Sequence, residues 1–222
     1  MRPPVRCLGA VTVSMLALLL AGCAASSRSH SSQALPPAAP VTAPCAASHC
    51  VPEASQPLSG GYAARLWSAP GQPGVDRSVP VVELLHSGDH AGWWVGRLGT
   101  GSSAALNCLG TACLVSSSLG AHGGAVETLL LTGAGTFTAP ATASVEFDSG
   151  MPTVADLGGD GVLDVIGLEN DYTPNFAQGH NYWATYRLTG TALVRTGCAP
   201  VAAHAQPPTA LLTGRCPVVP AG

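Results

Sequence analysis

The sequence predicts an all-β, disulfide-bonded domain that follows a disordered tether. Three observations predict it. Beyond about residue 58, Gly and Pro recur roughly every 8–12 residues, the turn spacing of all-β folds. No stretch of that region long enough for a helix keeps a clean apolar period of about 3.6 residues. Once residues 1–23, which read as a leader ending in a cysteine, are set aside, the remaining cysteines are even in number, which in an exported chain argues for disulfides.

Composition narrows the chemistry. The chain has 222 residues, with 12 acidic and 9 basic side chains and a formal charge of −3. Every basic residue is Arg, and Lys is absent. A Walker phosphate loop needs its Lys, and Schiff-base catalysis needs one too. A Lys/Arg-rich footprint for nucleic acid is also missing. Neither a nucleic acid nor a nucleotide is therefore an expected partner. Charged residues make up 9% of the chain and hydrophobic ones 46%, which excludes a charge-rich disordered protein.

Residues 1–22 read as a leader. Arg2 and Arg6 form a short positive region, and Leu8–Ala21 is apolar apart from Gly9, Thr12 and Ser14. That core is too short for the roughly 20 residues of a spanning helix. It ends in Leu20-Ala21-Gly22-Cys23, which resembles a bacterial lipoprotein lipobox. The resemblance implies cleavage before Cys23, acylation of Cys23 by chains such as palmitate, and anchoring on the outer face of the cell membrane. Two or more acyl chains suffice for a stable anchor, at about 0.8 kcal/mol per buried methylene. Cleavage removes Arg2, Arg6 and Cys7, leaving seven Arg against twelve acids.

Residues 23–57 are rich in Ala, Ser, Pro and Gln, have no periodic apolar face, and read as the tether. Residues 58–222 form the β-rich extracytoplasmic domain. Along it, strands are expected at Val79–Leu85, Gly92–Leu98, Val126–Leu131, Thr136–Phe147, Val162–Leu168, Tyr182–Leu188 and Thr191–Thr196. In the Tyr182 strand, Tyr182, Ala184, Tyr186 and Leu188 share one face. Leu131-Thr132-Gly133 and Leu188-Thr189-Gly190 join strands, and Arg97-Leu98-Gly99-Thr100-Gly101 is a third turn of that type, a weak repeat that points to blades or solenoids.

The disulfide candidates are Cys45, Cys50, Cys108, Cys113, Cys198 and Cys216. Six cysteines allow 15 pairings, and the expected ones are local: Cys45–Cys50, Cys108–Cys113 and Cys198–Cys216. A metal clip at Cys45 and Cys50, with His49 between, is the rival reading, but no second ligand pair lies nearby.

One constellation carries chemistry. Seven of the twelve acids fall between Glu146 and Asp171, and no Arg lies between Arg97 and Arg187. Crowded carboxylates repel unless a cation or a distant Arg neutralises them. Their centre, Asp156-Leu157-Gly158-Gly159-Asp160-Gly161-Val162-Leu163-Asp164, reads as a calcium loop. Ca²⁺ takes six to eight oxygens, gathered from alternate positions of a tight turn. Asp156, Asp160 and Asp164 would supply carboxylates, the Val162 carbonyl a backbone ligand, and Gly161 the sharp turn.

This segment resembles the FG-GAP/VCBS repeat, whose core reads apolar-Ala-Asp-apolar-Asn-Gly-Asp-Gly-x-x-Asp-apolar. The upstream Glu127–Phe137 stretch, with its Gly-rich turn and Gly135-Thr136-Phe137, is similar to the segment that precedes the core in tandem repeats, so the likeness covers about residues 126–168. It implies a blade of a β-propeller of the integrin-α type, with Ca²⁺ in a surface loop and a binding or adhesion role. Gly158 stands where the family usually has Asn or Asp. The loss of that ligand implies weak affinity, with Kd on the order of 0.1–1 mM. Blades of roughly 50–60 residues would number fewer than three here, and a closed propeller needs at least about four. The expected fold is thus a partial or atypical propeller-like blade array, with an assembled oligomer or a compact β-domain carrying one such loop as the alternatives.

Other signals point elsewhere. His86-Ser87-Gly88-Asp89-His90, with Glu83, is the best enzymatic-looking cluster, but His-x3-His aligns both rings only on a helix, and strands flank it. Gly99-x-Gly101-x-x-Ala104 matches a dinucleotide fingerprint formally, with no helix to follow. Trp93 and Trp94 point to opposite faces of a strand, so an exposed one would offer a platform for a partner or sugar; with only three Phe in the chain, core volume for both rings is the favoured reading. The sequence therefore leads to a lipid-anchored, non-enzymatic surface protein with a calcium-stabilised β-domain and a surface protein or glycan as partner. The alternatives are an extracytoplasmic hydrolase using His86, Asp89 or His90, and a small-ligand or glycan-binding lipoprotein.

Overall fold

The structure, a computed structural model, describes residues 50–69, 79–97, 103–120, 123–172, 175–201 and 206–218. Cys23, Cys45 and the leader lie outside them. The described chain is all-β, with thirteen strands, two short 3₁₀ turns and no α-helix. Among the described residues no helix is long and apolar enough to cross a membrane.

The strands form three antiparallel sheets. The first holds β1 (Val51–Pro57), β2 (Tyr62–Ala69), β3 (Val79–His86) and β4 (Asp89–Val95), hydrogen-bonded in that order. The second holds β5 (Ala104–Leu109), β6 (Ala112–Ser118), β7 (Gly124–Leu131), β8 (Phe137–Thr138) and β9 (Ser144–Phe147), with β8 and β9 both paired to β7. The third holds β10 (Ser149–Ala155), β11 (Asp164–Asn170), β12 (Asn181–Thr189) and β13 (Ala192–Pro200), again in chain order. Consecutive pairing follows from short connections. Between β3 and β4 the two-residue turn Ser87-Gly88 has both residues at positive φ, 53° and 94°, the twist that a tight hairpin requires.

Alternation along β6 and β7 places the second sheet against both neighbours. Cys113, Val115 and Leu129 join Leu66, Val82 and Leu84 of the first sheet in one core. Leu114 and Val126 point the other way and join Val165, Tyr182, Ala184 and Tyr186 of the third sheet in a second core. Phe147 enters that second core and meets Tyr186 edge-on, at 87° and 5.7 Å between ring centroids. Gly167 makes room for it: a Cβ there would lie 2.0 Å from Phe147 Cδ1.

Cys108 and Cys113 are bonded across the β5–β6 pair, and Cys198 is bonded to Cys216. Cys50 is disulfide-bonded as well. The Cys216 bridge ties the chain's last described stretch to β13, where the Cys198 amide donates to Gly214 O at 3.0 Å.

Several expectations are revised. β1 extends the folded body into residues 51–57, which composition assigns to the tether. The expected Thr136–Phe147 strand is broken at Pro140 into β8, a 3₁₀ turn at Ala141–Ala143, and β9, because Pro donates no ladder hydrogen bond. The described residues hold three sheets, not fewer than three units, because the first two units, 51–95 and 104–147, are shorter than the expected repeat. No closed ring of sheets is present among them.

Candidate functional site

The acidic loop connects β10 to β11, with Gly159 and Gly161 at positive φ, 67° and 79°. Asp156 turns back on the loop and accepts from the amides of Asp160 (3.1 Å) and Gly161 (2.9 Å). The Gly161 amide, more than any other group, holds its carboxyl below the usual carboxylate range. Asp164 is fully buried, and its Oδ2 accepts from the amides of Leu157 (3.0 Å) and Gly158 (3.3 Å). Val162 lies half-buried just before β11.

The β11–β12 register sets Arg187 opposite Asp164. Its Nε donates to Asp164 Oδ1 at 2.8 Å and its Nη2 to Asp164 Oδ2 at 3.2 Å. Nη1 and Nη2 donate to Asp160 Oδ2 and Oδ1 at 2.8 and 3.3 Å. The bond to Asp164 raises the guanidinium's pKa further above its ordinary value, so its charge is permanent.

The structure thus gathers Asp156, Asp160 and Asp164 into one turn, and it brings a cation from a strand 23 residues beyond Asp164. In this arrangement the carboxylates already have a cation, the guanidinium of Arg187. All four carboxylate oxygens of Asp160 and Asp164 accept from Arg187, and both of Asp156 accept from loop amides. A Ca²⁺ ion would have to share or displace these donors to gather the six to eight oxygens that it takes. No group of three or more His, Cys, Asp or Glu among the described residues is disposed to hold a metal.

Other acids of the cluster are also partnered. Glu169, buried between the second and third sheets, accepts from Tyr182 Oη (2.8 Å), Arg195 Nη2 (2.6 Å) and Tyr186 Oη. Asp148 accepts from the Asn170 amide at 2.9 Å and from Tyr172 Oη, and Asp171 accepts from the His180 amide at 2.9 Å. No family model matches the chain, and neither a curated protein nor a solved structure matches it.

A second constellation lies on the face of the first sheet turned away from the second. β3 alternates Val81, Glu83 and Leu85 on this face with Val82, Leu84 and His86 on the other. Glu83 pairs with Arg65 on one side and Trp93 on the other. Its Oε2 accepts from Trp67 Nε1 at 3.1 Å and Arg65 Nη1 at 3.4 Å, and His90 Nδ1 lies 3.3 Å from Oε1. The His90 ring sits 4.9 Å from that of Trp93, and the Arg65 guanidinium lies 5.7 Å over Trp67. One carboxylate of low exposure therefore holds an indole, an imidazole and a guanidinium, with the Trp93 ring beside the imidazole.

This geometry separates the residues of the enzymatic-looking cluster. His90 shares the Glu83 face, whereas His86 belongs to the opposite face and stacks on Tyr62 at 4.3 Å. The two rings do not converge on one point, as a base–nucleophile or metal pair must. Asp89 opens β4 at the exposed hairpin end. Trp94 packs against the core between the first and second sheets while Trp93 takes the outer face. Gly99 and Gly101 lie outside the described residues, and Ala104 opens a strand rather than a helix.

Arg187, Arg195, Arg65 and Trp67 are the site residues that sequence reading does not single out. The one signal for the first two is arithmetic. Only Arg187, Arg195 and Arg215 follow the acid cluster, so any in-chain neutralisation of it from downstream has to use them.

Proposed function

We propose that the chain is a lipid-anchored, exported binding protein, carried by Cys23 on the outer face of the cell membrane and without catalytic activity of its own. Its body serves as a partial propeller-like array, three sheets stacked through two shared cores, that holds one polar-aromatic face rigid. The observation that carries this reading is the Glu83 platform: Trp67, His90 and Arg65 held around one carboxylate, with Trp93 against His90. Indoles offer flat apolar area with a polar edge, which suits the apolar faces of sugar rings. The imidazole and guanidinium add donors to ligand hydroxyls or carboxylates. A glycan is accordingly the favoured partner.

The test is a glycan array probed with the full chain, alongside Trp93→Ala and His90→Ala. The expected result is a defined set of glycans, with binding weakened at least about tenfold by either change, the equivalent of about 1.4 kcal/mol. Glycan binding that both variants retain in full would reject the platform. Hydrolysis of a retained glycan would reject the non-catalytic assignment.

A further inference from the structure

Three acids in a nine-residue loop demand a positive charge, and the structure supplies it from within. What calls for explanation is Gly158. Its φ is not positive, so the backbone does not require glycine there. Space does. A Cβ on residue 158 would lie 2.3 Å from Arg187 Nη2 and 3.2 Å from Asp160 Oδ1. Any side chain at this position collides with the guanidinium or pushes it off the carboxylates.

We infer that the 156–164 loop is a metal-independent loop whose cation is the chain's own Arg187, and that Gly158 and Arg187 work as a pair. The guanidinium takes both the charge of a bound ion and the volume of one loop side chain. Its planar fork suits the task. Nη1 and Nη2 reach the two oxygens of Asp160, while Nε and Nη2 reach the two of Asp164. Asp164 has no exposure to solvent, and a buried carboxylate left without a partner is strongly destabilising. Arg187 and the two loop amides satisfy it. Asp160 keeps half its side chain in water, at 47% exposure, and Asp156 is held by the loop's own amides. Nothing in this accounting asks for a second cation. The register matters as much as the charge: Arg187 reaches the loop because it lies directly across from Asp164 on β12.

The test uses the full chain in mild detergent, with CaCl₂ itself as the probe. The melting midpoint is expected to be the same in chelator and in about 10 mM Ca²⁺. A metal site of 0.1–1 mM affinity would raise it by roughly 3–10 °C, and such a rise in the unmodified chain overturns the inference. Three variants read the pair directly. Arg187→Gln should lower the midpoint. Gly158→Asn should lower it clearly in the unmodified background and much less in the Arg187→Gln background, where the colliding group is gone. Equal effects in both backgrounds would show that the positions are independent and would overturn the pairing. If Arg187→Gln does not fold, the unmodified chain in calcium still decides the metal question, and Gly158→Asn beside Gly158→Ala decides the steric one. Both must be less stable than the unmodified chain.

Discussion

Gly167→Ala should destabilise this protein, although on a strand the change would ordinarily stabilise it. Gly in a strand interior costs about 0.5–1 kcal/mol relative to Ala, and Gly167 has no positive φ to excuse it. The new methyl, however, would sit 2.0, 2.3 and 2.4 Å from three carbons of the Phe147 ring, where non-bonded carbons prefer about 3.5–4.0 Å. The ring must retreat by more than about 1 Å to relieve that overlap. Behind it stands Tyr186, 5.7 Å away and itself fixed by Glu169 and Arg195. Overpacking of this kind costs about 1–3 kcal/mol, which lowers the melting midpoint by roughly 2–12 °C for a domain of this size. Phe147→Ala alone should cost about 3–5 kcal/mol. In that background Gly167→Ala meets no ring and should be neutral or stabilising by up to about 1 kcal/mol. Urea unfolding of the four proteins closes the cycle, with an expected coupling of about 1–4 kcal/mol. Additive effects, or a Gly167→Ala protein more stable than its parent, would refute the close approach of the second and third sheets.

Three further outcomes follow from the same geometry. Burial, and then the bonds to Glu169, push the Tyr182 and Tyr186 hydroxyls above their ordinary pKa of 10.0. A raised folded pKa gives stability that is complete below about pH 10 and is lost as the pH rises, by about 1.4 kcal/mol per unit for each tyrosine. Urea midpoints measured from pH 9 to pH 11 should therefore fall, and a flat profile would contradict the buried tyrosine pair. Replacing both Cys198 and Cys216 by Ser opens a bridge with a sequence separation of 18. By the loop-closure estimate this costs about 3 kcal/mol, checked by the same melts, and an unchanged midpoint would show that the bridge adds nothing. Cys23→Ser should abolish incorporation of labelled palmitate and release the protein from the membrane fraction; retained label would place the acyl group elsewhere.

What sequence reading sees in this chain depends on where the determining partner lies. β3, β7, β11 and β12 are legible because Val, Ile, Leu, Thr and Tyr concentrate there. β1, β2, β5 and β10 are not: Ala, Ser, Gln and Pro fill much of them; β2 and β10 pair with a better neighbour, as Ala64 does with Leu84 of β3 and Val154 with Val165 of β11, and β1 pairs in turn with β2. Local disulfides were readable at Cys108–Cys113 and Cys198–Cys216 because a hairpin and a returning tail bring near neighbours together. The turn joining Asp156, Asp160 and Asp164 is readable from spacing, whereas its cation is not. Arg187 belongs to another strand, and only the β11–β12 register brings it across from Asp164. The Glu83 platform is hidden for the same reason, since Arg65, Trp67, Glu83 and Trp93 come from three strands. The opposite orientations of Trp93 and Trp94 follow from strand alternation alone.

The second sheet has neither face to itself, and this sets how the molecule opens. Its two faces belong to two different cores, so β6 and β7 are freed only when both cores dissolve together. Their backbone amides should then exchange with solvent deuterium at the rate of whole-molecule unfolding. β1, an edge strand exposed along most of its length, needs only a local excursion. The graded protection that results, slowest in the middle sheet and fastest at the rim, would let the margin yield while both cores stay closed.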